Sequence, residues 1–226
     1  MEIFLQNFFN LEVFQQALPY LLQGFWTTIW LSVLVIPLGA AAGLLLALGQ
    51  TQSSRRSLRW SIIAYIDFFR AFPPLVLLIF LYFGLPFVIG DVPKLIAVML
   101  AFTLNNSSYF AEVFRAGIEA IPKGQMEAAR STGLSRLQAL RWVILPQATR
   151  HVQADLLGNC IEVVKLTAIA SVVGIPELLR NARDVQSLVY NPSPVVLAAL
   201  LYLALLWPLT RWLARLENRK LAMLSH

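Results

Sequence analysis

Long uncharged runs broken by short polar passages set the plan of this chain. No charged residue occurs between 13 and 54. Within that run, 25–49 is apolar for long enough to cross a hydrocarbon core, which takes about 20 residues. Further apolar runs follow at 60–85, 95–115, 156–174 and 195–213. The pattern predicts an all-α integral membrane protein with about five transmembrane helices in a single domain over 1–226. Residues 1–19 mix apolar positions with Glu2 and Glu12 and read as an interfacial lead-in ending near Pro19. In the first span Pro37 offers a bend, and Gly39 and Gly43 let a neighbouring helix approach closely.

Polar residues inside these runs carry the candidate chemistry. Asp67 and Arg70 open the second span three residues apart, so they share a helix face and are expected to pair. Pro73 and Pro74 then interrupt the run or begin its apolar half, and 86–93 is turn-rich. The third span holds Asn105, Asn106, Ser107, Ser108, Tyr109 and Glu112. At a period of 3.6, Asn105, either Ser108 or Tyr109, and Glu112 fall on one side. Such a stripe is costly against lipid and must face protein or a water-filled path. It serves either a substrate path or interhelical hydrogen bonding. In the fourth span Glu162 and Lys165 stand three apart and are expected to neutralise each other, with Asn159 nearby. The substrate-path candidates are Asn105, Ser108, Glu112 and Glu162.

One long passage, 116–150, is polar. Pro122 and Gly124 break the helix there. A short helix is expected over about 125–132, with Glu127 in its first turn, where the helix dipole favours a negative charge. Gly133 suits a C-terminal cap. Ser135 can cap a second helix that ends before Pro146. The connection 175–194 carries Glu177, Arg180, Arg183 and Asp184 and is expected to be partly helical, and the tail 214–226 is amphipathic and basic.

Composition agrees with a membrane protein. Hydrophobic residues make up 58% of the 226 and charged ones 13%, too little polar surface for a soluble domain of this size. One cysteine, Cys160, allows no intramolecular disulfide and no cysteine-built metal cluster. His151 and His226 have no ligand-like spacing. The start carries no basic region before its apolar run, so no cleaved signal peptide is expected. A net charge of +6 could point to nucleic acid, but lysine and arginine at a cytoplasmic membrane surface explain it. Of the 18 lysines and arginines, 13 lie in 55–59, 115–150 and the segment from Arg211 on. Lys94, Arg180 and Arg183 occupy the opposite side, and Arg70 and Lys165 lie within or at the edge of spans. The positive-inside rule then places 116–150 and the C-terminus in the cytoplasm. Five crossings put the N-terminus outside.

Glu127-Ala128-Ala129, Gly133, Val143 and Leu145-Pro146 match the EAA-x3-G-x9-I-x-LP signature of the membrane subunits of ATP-binding-cassette importers, with valine where isoleucine is usual. The flanks 109–118 and 121–125, Leu145-Pro146-Gln147-Ala148, and Phe69-Arg70-Ala71 with Pro73 resemble the polar amino acid (histidine/glutamine/arginine/opine) permease family. The resemblance covers roughly 20–215. It implies that Glu127, Ala128, Ala129 and Gly133 form a coupling helix docking into a cytoplasmic ATPase dimer, which binds the ATP and Mg²⁺. It also implies a second permease subunit, identical or related, and an extracytoplasmic binding protein that delivers a polar amino acid. The expected location is the bacterial cytoplasmic (inner) membrane, among its lipids. This chain has no Gly-x4-Gly-Lys-Ser/Thr phosphate loop, so ATP hydrolysis falls to another chain.

Three departures bear on cargo rather than fold. The family often has Arg-Gly-Thr-Pro where this chain has Arg70-Ala71-Phe72-Pro73, and Lys-Asp-Thr-Ser-Leu where it has Lys165-Leu166-Thr167-Ala168-Ile169. It commonly has a proline in 151–155, absent here. A passive channel or scaffold built on the polar stripe is the alternative. A membrane-embedded enzyme finds no nucleophile–base pair or metal-binding set in the chain.

Overall fold

The computed structural model describes residues 1–224, without the side chains of residues 2, 5 and 219–224. The side chains of Arg219 and Lys220, and the whole of His226, lie outside the described residues. Every regular element described is helical. After α1 (Glu2–Phe8), α2 runs unbroken from Leu11 to Gln52, 42 residues or roughly 63 Å at 1.5 Å per residue. The expected break at Pro19 therefore lies earlier. Asn10 caps α2 by accepting from the backbone N–H groups of Glu12 and Val13 at 3.0 and 3.3 Å, and Pro19 is absorbed inside the helix. A cap supplies acceptors for orphan N–H groups, whereas an internal proline removes one donor and leaves the rest of a long ladder to hold.

Next come α3 (Arg56–Ala71), α4 (Pro74–Gly84) and the single turn α5 (Pro86–Ile89). The axis bends by 101° between α3 and the α4–α5 segment. Phe72 is extended, as the residue before a proline prefers, and Pro74 opens α4, where its missing N–H costs nothing. Arg70 does not pair with Asp67: its guanidinium lies 3.7 Å from the Glu112 carboxylate. Since Arg70 is in the last turn of α3, its side chain reaches α6 more readily than back along its own helix.

The central helix is α6 (Lys94–Glu119). Its contact with α2 is the most extensive in the molecule. Gly43 makes that contact possible: a Cβ there would sit 2.6 Å from the Phe110 Cβ and 2.8 Å from backbone atoms of Ser107 and Ala111. Leu31, Val35, Phe102, Phe110 and Val163 form the main core around it. Among the described residues, three segments are long and apolar enough to cross a membrane: Gln6–Gln52, Gln153–Val173 and Ser193–Asn218. The bent α3–α5 pair makes a fourth if counted as one span. The count thus stops short of the expected five. At 26 residues, α6 has the length, roughly 39 Å, but its polar run lowers its apolarity. Asn105, Asn106, Ser107 and Ser108 are all buried inside the protein, where such groups are tolerated.

Beyond the polar loop, α10 (Gln153–Leu166) continues as a 3-10 segment, Thr167–Val173, ending at Gly174. The connection that follows contains α11 (Leu178–Val189), and α12 runs Ser193–Leu224. Glu177 caps α11 and is fully buried. It accepts from the backbone of Leu179 and Arg180 at 2.9 and 2.6 Å and from the Tyr202 hydroxyl at 2.9 Å. The Leu178 N–H donates to Thr28, and Asn181 donates to the Tyr20 carbonyl. The cap therefore ties α11 to both α2 and α12. Burial pushes the Glu177 carboxyl above the usual carboxylate range, against the pull of its three hydrogen bonds. A raised folded-state pKa adds stability that is present below the ordinary carboxylate value and is lost as pH rises through the raised one. Wild-type protein should therefore gain stability relative to Glu177→Gln as pH falls from 8 towards 4 in thermal unfolding. A constant difference across that range would contradict the assignment.

Candidate functional site

Two places collect the polar groups that the fold holds deliberately. The first is the loop between α6 and α10. There α7 spans Lys123–Ser131, two residues earlier than expected at its start, because Pro122 in an extended conformation launches the helix and Gly124 is carried inside it. Glu127 consequently sits beyond the first turn, and the dipole argument for it does not hold. Met126 packs against a cluster of Ala47, Ile118, Leu140, Ile144 and Ala148. Ala129 also faces inward, at 8% exposure, so its methyl group packs within the chain rather than lying open to a partner. Glu127, Ala128 and Gly133 are exposed. Gly133 has φ of 91°, the conformation that lets a helix end sharply and that other residues resist.

Ser135 caps the next helix through a full capping box with Gln138, as its position before the helix predicts. That helix does not stop before Pro146. Instead α8 (Arg136–Ala139) passes through a π turn, Leu140–Ile144, into α9 (Leu145–His151). In the wider turn the Leu145 N–H reaches back five residues to the Leu140 carbonyl, and Pro146 enters as an opening residue of α9, where no donor is required of it. The resulting rod supports α7, and Gln147 donates to Gln125 at 3.3 Å across the two.

The second place is a cavity of about 390 Å³ between α6, α10 and the start of α4, within the size range of small-molecule sites. Asn105, Asn106 and Tyr109 line it from α6; Asn159, Glu162 and Lys165 line it from α10; Leu166, Ile169 and Pro74 supply an apolar wall. Glu162 and Lys165 pair at 2.6 Å, as their spacing predicts. The Asn159 amide nitrogen is buried with no hydrogen-bond partner, an orphan donor of the kind that buried sites seldom leave unmet.

The four path candidates separate. Asn105 and Glu162 meet in this cavity. Ser108 does not line it: it is fully buried and its hydroxyl donates to the Asn105 carbonyl at 2.6 Å. Of the two residues the helical period allowed beside Asn105, Tyr109 takes the cavity position. Glu112 is also absent from the lining, held by Arg115 at 2.9 Å and by Arg70. Interhelical bonding accounts for Ser107 and Asn105, which reach α3, whereas the other bonds of the run stay inside α6. Asn106 donates to Phe102 and Ser107 to Leu104, each within α6, and Ser107 also meets the Tyr65 hydroxyl at 2.8 Å. Asn105 does both jobs, donating to the Phe69 carbonyl at 2.9 Å where α3 ends. Asn106, Tyr109, Asn159 and Lys165 were visible as polar residues in apolar spans, but their convergence depends on how α6 packs on α10.

Known proteins resemble this chain in sequence and in fold. Residues 36–222 match the family model described as binding-protein-dependent transport system inner membrane component. The probable amino-acid ABC transporter permease protein YckA of Bacillus subtilis is 34% identical over 198 residues, covering 87% of each chain. The arginine transport system permease protein ArtQ of the same organism is 32% identical, covering 90% of this chain and 93% of its own. A solved amino acid ABC transporter with histidines superposes with a TM-score of 0.80 at 34% identity, covering 90% of this chain and 95% of that one. The MetNI methionine ABC transporter, at 21% identity and a TM-score of 0.73, shares the fold. The match over residues 36–222 and the relatives at 32–34% identity establish that the chain belongs to the family of binding-protein-dependent transport system inner membrane components.

Proposed function

We propose that this chain forms, with a second permease subunit, the membrane path of an importer that carries a polar amino acid into the cytoplasm. The observation that carries the reading is the cavity between α6 and α10, where an orphan amide, a carboxylate and an ammonium group meet beside an apolar wall. An amino acid presents complementary parts: a carboxylate for Lys165 and Asn159, an ammonium group for Glu162, and a side chain for the remaining wall. Because Glu162 and Lys165 cancel, the cavity favours a substrate carrying both charges over a simple ion. Relatives named for arginine and for glutamine support the class.

Energy enters through the loop between α6 and α10. Glu127, Ala128 and Gly133 would contact a cytoplasmic ATPase pair that holds ATP and Mg²⁺. Closure of that pair would pull α7, and α7 would move α6 through Met126 and the shared core under it. The charge distribution supports five crossings, with α6 as the third, the N-terminus outside and the loop inside. A bacterial cytoplasmic membrane and an extracytoplasmic binding protein complete the reading.

The test is reconstitution. The purified chain should hydrolyse no ATP. With its ATPase and binding protein in vesicles, hydrolysis should rise when the binding protein is loaded, and labelled amino acid should accumulate inside. Flux through the chain without the ATPase would overturn the proposal in favour of a channel.

A further inference from the structure

A second cavity, of about 430 Å³, lies where the end of α2 meets the loop between α6 and α10. Lys123 and Arg130 of α7 and Arg136 of α8 line it, and no aspartate or glutamate does. Among the described residues none of these three cations takes part in an ion pair. Arg136 instead donates to the Gln52 side-chain oxygen at 3.1 Å, which holds it at the cavity and leaves its charge unopposed. The floor is apolar, with Ile118 and Ile144 both buried. Three like charges around one concavity raise its potential and concentrate anions there.

The cavity is separate from the proposed ATPase contact. Lys123, Met126 and Arg130 are spaced three and four apart and share one stripe of α7. Glu127, four after Lys123 and three before Arg130, flanks this stripe, and neither it nor Ala128 lines the cavity. The charge distribution puts this region at the cytoplasmic membrane surface. Basic pockets of that kind between transmembrane helices take lipid headgroups, and guanidinium groups match phosphate oxygens in pairs. We propose that this cavity binds the phosphate of an anionic phospholipid, with the three cations around the headgroup and the apolar floor beneath its glycerol. A lipid held there would brace α7 against the end of α2, both of which line the cavity.

The test uses the full purified chain in detergent, with retained lipid counted by native mass spectrometry after exposure to phosphatidylglycerol or phosphatidylcholine. Wild-type protein should retain phosphatidylglycerol in preference by roughly tenfold. The Lys123→Gln/Arg130→Gln/Arg136→Gln variant should lose that preference, and Arg130→Gln or Arg136→Gln alone should halve it if the triple variant fails to fold. Equal retention of the two lipids by wild-type protein would overturn the proposal. So would displacement by millimolar inorganic phosphate, which would make the ligand a free anion. Loss of ATPase-subunit binding in a triple variant that keeps its lipid preference would assign the cations to a protein contact instead. None of these readouts needs transport, so they stand apart from the cargo and coupling assays.

Discussion

Gly133→Asp is expected to abolish ATP-driven uptake while the chain still inserts and folds. The reason combines backbone and surface. At φ of 91° a residue with a Cβ costs on the order of 1–3 kcal/mol, which is tolerable in a protein held by a core elsewhere. Nothing lies within 4 Å of the place a Cβ would occupy, so the new side chain displaces no part of the chain itself. It instead projects, with a negative charge, from the end of the helix that carries exposed Glu127 and Ala128. Loss of a central contact in an interface costs about 2–4 kcal/mol, so coupled uptake should fall on the order of a hundredfold. Gly133→Asn separates the two causes, since asparagine accepts the left-handed conformation and adds no charge. It should retain a substantial part of the uptake. Wild-type uptake by Gly133→Asp in reconstituted vesicles would remove the docking role of this loop.

Asn159→Leu is expected to raise the half-saturating substrate concentration for uptake, with membrane insertion unchanged. Loss of an ordinary structural asparagine would instead lower stability and leave that concentration unchanged. The Asn159 amide nitrogen is buried and unpartnered, so replacing it with an apolar group of similar size removes an unmet donor and should be neutral or slightly stabilising for the fold. Any loss must therefore come from something that binds there. One hydrogen bond to a charged group contributes about 1.5–3 kcal/mol, which predicts a rise of roughly tenfold to a hundredfold in the concentration needed. Thermal unfolding measured on the same preparations gives the control: unchanged stability with weakened uptake supports a substrate contact. Unchanged stability with unchanged uptake would leave the cavity without a transport role.

Much of the loop between α6 and α10 was legible from spacing. The caps at Ser135 and Gly133 follow from local rules, because each depends on backbone groups only a few residues away. The pairing of Glu162 with Lys165 was legible for the same reason. Local rules misplaced the Pro19 and Pro146 boundaries. In both places the surrounding ladder accommodates the missing donor, by a long intact helix at Pro19 and by a π turn before Pro146. The Arg70 partner was also misread, since a long side chain at a helix end selects its carboxylate in space rather than by sequence interval.

The sequence by itself determined the solvent of this protein and its economy of charge. Uncharged runs of span length are satisfied as helices in lipid, and most of the basic residues gather in 55–59, 115–150 and the segment from Arg211 on. Tertiary structure decided which polar residues act together. Along α6 the helical period left Ser108 and Tyr109 equivalent beside Asn105. Packing against α3 and α10 broke that tie, burying Ser108 on its own backbone and opening Tyr109 to the cavity. Glu177 shows the same division: a glutamate in a connecting segment looks exposed in sequence, and only the close approach of α2 and α12 makes it a buried cap. Hydrophobic periodicity reports which face a helix buries, but the partner on that face comes from elsewhere in the chain.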